Sequence, residues 1–126
     1  MTRVIVAEDC GNSPKNLFLQ ECTIALVKGD ARFILSRVTD DTCWDIVEQD
    51  LIEGKDQLAR ALGRLKNRPE AELTIEHVAT HGKAGAVNGT TRLQNGRVCG
   101  FCDVYEFDGA KSARVKEITS YVIQIT

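Results

Sequence analysis

Hydrophobic and polar positions repeat with two different periods along this chain, and the change of period divides it. Phe18, Cys22, Ala25 and Leu26 recur at helical spacing behind Ser13-Pro14, a capping hydroxyl followed by a first-turn proline, and Gly29 supplies a C-terminal stop. Asp30 caps a short second helix over 31–35. Asp40-Asp41 turns the chain into a strand over 42–48. After Gly54, Leu58, Ala61, Leu62 and Leu65 form one stripe of a third helix, which ends before Pro69 because proline lacks an amide donor and clashes with the preceding turn. Beyond Pro69 the period becomes two. Strands are predicted over 72–81, 84–93, 97–107 and 115–125, joined at Gly82-Lys83, Asn95-Gly96 and Asp108-Gly109, dipeptides that suit tight hairpins. Helices, one early strand, a helix and then a meander predict an α+β domain with helices packed on one face of an antiparallel sheet. No repeat, linker or low-complexity segment interrupts it, so residues 1–126 read as one domain with its core over 14–125.

Charge narrows the partners. Sixteen basic and eighteen acidic side chains give a formal charge of −2, and no block of like charges forms. Nucleic acid and anionic membranes are therefore not expected partners. No apolar run approaches a bilayer span, and the segment from Met1 to Ala7 is short and followed by Glu8-Asp9, unlike a signal peptide. The five cysteines, Cys10, Cys22, Cys43, Cys99 and Cys102, are odd in number and irregularly spaced, as free thiols in a reducing compartment are. The expected location is cytoplasmic. Cys99-Gly100-Phe101-Cys102 has redox or zinc spacing, but inside a strand residues i and i+3 point to opposite faces, and no second pair exists. Neither a metal nor a cofactor is expected.

The chemistry concentrates in the strand around Asp103. Alternation puts Phe101, Asp103, Tyr105 and Phe107 on one face. An acid on an aromatic face is either a pocket group with a shifted pKa or a residue that only ties neighbouring strands together. Trp44 shares a face with Thr42 and Ile46. Ala84, Ala86 and Asn88 share another, small enough to leave room for a ligand, although the glycines at 85 and 89 equally suit a bend. His77 aligns with Leu73, Ile75 and Ala79, and Ser120 with Ile118 and Val122.

Taken together, Gly29-Asp30, Asp40-Asp41-Thr42-Cys43-Trp44, Gly54, Asp103-Val104-Tyr105-Glu106-Phe107-Asp108-Gly109 and Ile118-Thr119-Ser120-Tyr121-Val122-Ile123 resemble, in order and spacing, the NTF2-like superfamily and its SnoaL-like branch. The resemblance spans about residues 14–125. It implies a cystatin-type cone, a strongly curved antiparallel sheet wrapped around the N-terminal helices, with a blind pocket. Ketosteroid isomerase belongs to the same superfamily, and Asp103 falls where that enzyme keeps a protonated aspartic acid. Its general base falls at Ile46 and its helix-one tyrosine at Cys22, so ketosteroid isomerisation by those residues is not expected. The resemblance implies Asp103 as the catalytic acid and turns the face of Trp44 and Ile46 into the cone; by their strand faces Asn88, Phe101, Tyr105 and Ser120 are further candidate ligand contacts, and His77 is either a satisfied core histidine or, if it faces the cone, a substitute base. The implied ligand is a small, largely apolar organic molecule. Two readings stay open: a cofactor-free acid/base enzyme of the isomerase, cyclase, dehydratase or hydrolase type, and a non-catalytic ligand-binding or dimeric interaction module. A homodimer through the outer sheet face is expected in either case.

Overall fold

Local sequence signals set the helices. The computed structural model describes residues 2–126, so Met1, the first residue of the expected domain, lies outside it. The elements run β1 (Arg3–Val6), α1 (Pro14–Lys28), α2 (Ala31–Leu35), β2 (Val38–Ile46), β3 (Asp50–Glu53), α3 (Gly54–Asn67), β4 (Glu72–His81), β5 (Ala84–Arg92), β6 (Val98–Phe107) and β7 (Val115–Gln124). Ser13 accepts a 3.1 Å hydrogen bond from the Asn16 amide at the head of α1. At its end Gly29 turns left-handed, with φ of 70°, and donates to the carbonyls of Ala25 and Leu26. A side chain at Gly29 would strike the backbone of Leu62 and Lys66, so glycine there also lets α1 approach α3. Asp30 caps α2 by accepting from the Phe33 amide at 3.1 Å.

The strands form one seven-stranded sheet in the order β1-β4-β5-β6-β7-β2-β3. The meander β4-β5-β6-β7 is antiparallel as expected, but β1 runs parallel to β4 and β2 parallel to β7. The sequence reading has neither β1 nor β3, each only four residues long and too short to show a period. It also starts the early strand too late: β2 begins at Val38, and Asp40-Asp41 lies within the strand with both side chains exposed. The helices cover one face of the sheet, α1 against β4 and β5, α3 against β2 and β3. Leu19, Leu26, Ile34, Leu58 and Leu62 meet Leu73, Ile75, Val87, Tyr105, Phe107 and Ile118 in the core. Phe18 and Phe107 close one end with ring centroids 5.9 Å apart. No helix among the described residues is long and apolar enough to cross a membrane.

An irregularity in β4 decides which side chains face the helices. The β4–β5 register shifts between Ile75 and His77. The extra residue inverts the alternation: Leu73 and Ile75 are buried, whereas His77 and Ala79 are exposed. Opposite the bulge sits Gly89, where an added Cβ would collide with the Thr74 carbonyl. The missing side chain at Gly85 likewise makes room for Leu19 of α1.

Gly89→Ala therefore forces the bulge open and should lower stability in urea unfolding by more than about 2 kcal/mol. Gly63→Ala, in α3 with nothing within 4 Å of the added methyl, should instead raise stability by about 0.5–1 kcal/mol. Equal effects would show that Gly89 has no packing role.

Candidate functional site

The register of three strands brings the site together. Asp103 of β6 pairs with Ser120 of β7, and Ser120 pairs with Ile46 of β2. These three residues make one cross-strand row on the helix-facing side of the sheet. Trp44, one pleat along β2, donates from Nε1 to the Ser120 Oγ at 2.8 Å. The row opens on a cavity of about 200 Å³. Phe101, Asp103, Ser120, Val122, Trp44 and Ile46 form its sheet side, Leu26, Val27 and Leu65 its helix side, and Gln49, Glu70 and Thr91 complete the wall. A cavity this small suits a compact molecule rather than a drug-sized one.

Asp103 is only 7% exposed. Burial pushes its carboxyl from the ordinary 3.8 up to about 6, and the Ser120 hydroxyl beside it pulls more weakly in the other direction. A carboxyl in this range exchanges its proton near neutral pH, which the chemistry of a general acid or base requires. The lining contains no lysine, arginine or histidine. Among the described residues no group of three or more His, Cys, Asp and Glu converges as a metal site.

Five of the residues read from the sequence thus meet at the cavity: Trp44, Ile46, Phe101, Asp103 and Ser120. Three do not. His77 is on the outer face, where its Nδ1 and the Asn88 Oδ1 lie 2.9 Å apart, so the bulge removes it from the cavity side. Asn88 is turned outward with Ala84 and Ala86, while Gly85, Val87 and Gly89 face the core. The space expected beside Ala84 and Ala86 is instead beside Gly85, and Leu19 fills it. Tyr105 shares the face of Asp103 but is fully buried against α1, its hydroxyl 2.8 Å from the Thr23 Oγ1. It supports the site from below and has no ligand surface. Cys22 is buried next to this layer, and burial pushes its thiol up to about 12, which keeps it neutral.

Sequence reasoning missed Glu70, the second carboxyl of the lining. Its Oε2 is the one buried side-chain oxygen or nitrogen among the described residues without a hydrogen-bond partner. Burial raises its pKa. Nothing in the periodic pattern marks it, because it lies between α3 and β4.

Known structures share this architecture. A protein of unknown function from Mesorhizobium loti superposes with a TM-score of 0.72 at 10% identity, over 94% of this chain and 98% of that one. It is described as NTF2-like. This chain has the NTF2-like fold. An LEH-like epoxide hydrolase from M. tuberculosis is similar at TM-score 0.70 and 21% identity, covering 85% of this chain and 80% of that chain. SalBIII, an epoxide hydrolase/cyclase-like enzyme described in pyran ring formation in polyether salinomycin, is similar at 0.69 and 16%, over 90% and 93%. No protein-family model and no curated protein matches the sequence. At these identities the NTF2-like neighbours establish the architecture and leave the chemistry to the residues.

The folded chain binds the Asp103 proton more tightly than the unfolded chain does. Asp103 therefore costs nothing well below its ordinary value and removes stability as pH rises between about 4 and about 6, reaching about 3 kcal/mol above that window. Asp103→Asn should gain stability relative to wild type across that window in urea unfolding and hold the gain at neutral pH. A pH-independent difference would mean that water reaches the carboxyl.

Proposed function

We propose that this NTF2-like chain is a SnoaL-like pocket protein that holds a small, largely apolar organic molecule against Trp44, Ile46 and Phe101. The supporting observation is the near-complete burial of Asp103 on the wall of an otherwise mostly apolar cavity. In its protonated form Asp103 donates a hydrogen bond to an oxygen of the ligand, and an apolar ligand that expels water favours that form further. The same hydrogen bond, strengthened as charge develops on the oxygen, makes Asp103 a general acid. Epoxide opening and ring closure, named for two of the similar structures, belong to the reactions such an acid serves, as do isomerisation and dehydration. With His77 outside and isoleucine at 46, the ketosteroid isomerase set is incomplete. Binding without turnover is the alternative, and product analysis separates it from catalysis.

The only tryptophan in the chain lines the cavity, so its fluorescence reports occupancy. Cyclic ketones and epoxides should change Trp44 emission saturably, and Asp103→Asn should lower any turnover at least about a hundredfold. Wild-type turnover retained in Asp103→Asn would remove the acid role.

The outer face supports a homodimer: Val104, Tyr121 and Ile123 are 39%, 49% and 72% exposed on adjoining strands. Such a patch favours association. Light scattering should give twice the 13.9 kDa chain mass, and Ile123→Lys with Tyr121→Lys should return it to the monomer. A monomeric wild type at high concentration would refute the dimer.

A further inference from the structure

We infer that Glu70 is the second ligand-contacting residue of the cavity, and that the ligand carries a hydrogen-bond donor, a hydroxyl, at the Glu70 end and an acceptor oxygen at the Asp103 end. The inference rests on the pocket reading above and deepens it. Its basis is a half-buried carboxyl on a residue that lines the same cavity as Asp103, one of whose oxygens is shielded from water and lacks any partner among the described residues. An unmade hydrogen bond on a buried polar oxygen costs about 1–3 kcal/mol, and more on a charged one. No salt bridge to Glu70 exists among the described residues, and no cation lines the cavity.

The backbone at Glu70 is held in place. Its carbonyl accepts from the Thr2 Oγ1 at 2.7 Å, and the next amide, Ala71, donates to the Arg92 carbonyl at 2.8 Å. The side chain is therefore presented from an anchored strand entry rather than a free loop. Glu70 also borders an outer cleft of about 410 Å³ with Arg68, Leu93 and Gln94. It stands between that cleft and the cavity, so a ligand hydroxyl bound there has room for a substituent on the cleft side.

A donor on the ligand satisfies the Glu70 oxygen, and an acceptor satisfies protonated Asp103. A purely apolar ligand satisfies neither. The favoured ligand is therefore neutral and bifunctional, with a hydrocarbon body between a hydroxyl and a carbonyl or ether oxygen.

Nuclear magnetic resonance titration of the Trp44 indole N–H with cyclohexanone and with 4-hydroxycyclohexanone tests this at about pH 6, where a large share of Asp103 is protonated. Wild type should bind the hydroxyketone about tenfold more tightly than the ketone, the upper effect of one hydrogen bond to a shielded carboxyl oxygen. In Glu70→Leu the preference should fall to about one, and in Glu70→Gln, which keeps a neutral acceptor, to about threefold. Glu70→Leu should also melt about 4 °C higher, since it removes a half-buried carboxyl with one unpartnered oxygen. A preference unchanged in both variants, or absent in wild type, overturns the role of Glu70 and leaves that of Asp103 standing. If neither ketone moves the Trp44 resonance in wild type, the pocket reading fails and this inference with it.

Discussion

A carboxyl group kept out of water is the constraint to which this structure answers. Asp103 stands in a row with Ser120 and Ile46 that exists only because β2, parallel to β7, brings an early strand beside the end of the meander. The row puts a hydroxyl next to the acid, and the Trp44 N–H, donating to that hydroxyl, fixes its orientation. Shift β2 by one residue and Asp45, now exposed, would take the inner place of its neighbours. The parallel pairing is therefore the structural basis of the site, although it leaves no trace in local sequence.

Around this row the remaining elements divide their tasks. One end of the concave face is filled: Phe18 on Phe107, Leu19 in the gap at Gly85, and the Tyr105 hydroxyl on Thr23. Lys15 covers that end, donating to the carbonyls of Gly82 and Ala110 with its ammonium 4.6 Å from the Phe107 ring centroid. The cavity is what remains at the other end, where α1 and α3 contribute only Leu26, Val27 and Leu65. Close packing at one end and space at the other is a division of the core that single-residue hydrophobicity does not express.

This explains which features were legible. Helix ends were, because a capping serine, a first-turn proline and a left-handed glycine each act within a few residues. The faces of β6 and β7 were, because Phe101, Tyr105 and Phe107 or Ile118 and Val122 mark one side strongly. On β5 only Val87 distinguishes the faces, and small residues lie on both, so alternation alone does not turn Asn88 outward. On β4 the period is broken by a bulge whose cause, the close approach at Gly89, lies on another strand. Unbroken alternation therefore puts His77 on the face of Ile75, and the bulge puts it on the other. Glu70 was invisible because it belongs to no periodic element, and what anchors it is Thr2, next to the short parallel strand β1 that the pattern also hid.

The proposed occupancy of the cavity accounts for the two carboxyls together. Each is destabilising in the empty protein, Asp103 through its desolvated charge and Glu70 through an unmade hydrogen bond. A domain selected by packing alone would do better with leucine at both positions, since replacing buried polar groups by apolar side chains of similar volume is neutral or stabilising. A merely structural acid would instead be paired, as Glu72 is with Arg3 and Arg92 on the rim of the sheet. Among the described residues Asp103 and Glu70 have no cation within the cavity, and apart from Ser120 neither side chain has a partner. Their unsatisfied capacity is complementary: one gives a proton near neutral pH, the other accepts a hydrogen bond. The proposed ligand, neutral and with an oxygen at each end, would satisfy both while its hydrocarbon body covers Trp44 and Phe101. Local instability of this kind is how a fold reserves binding energy for a ligand.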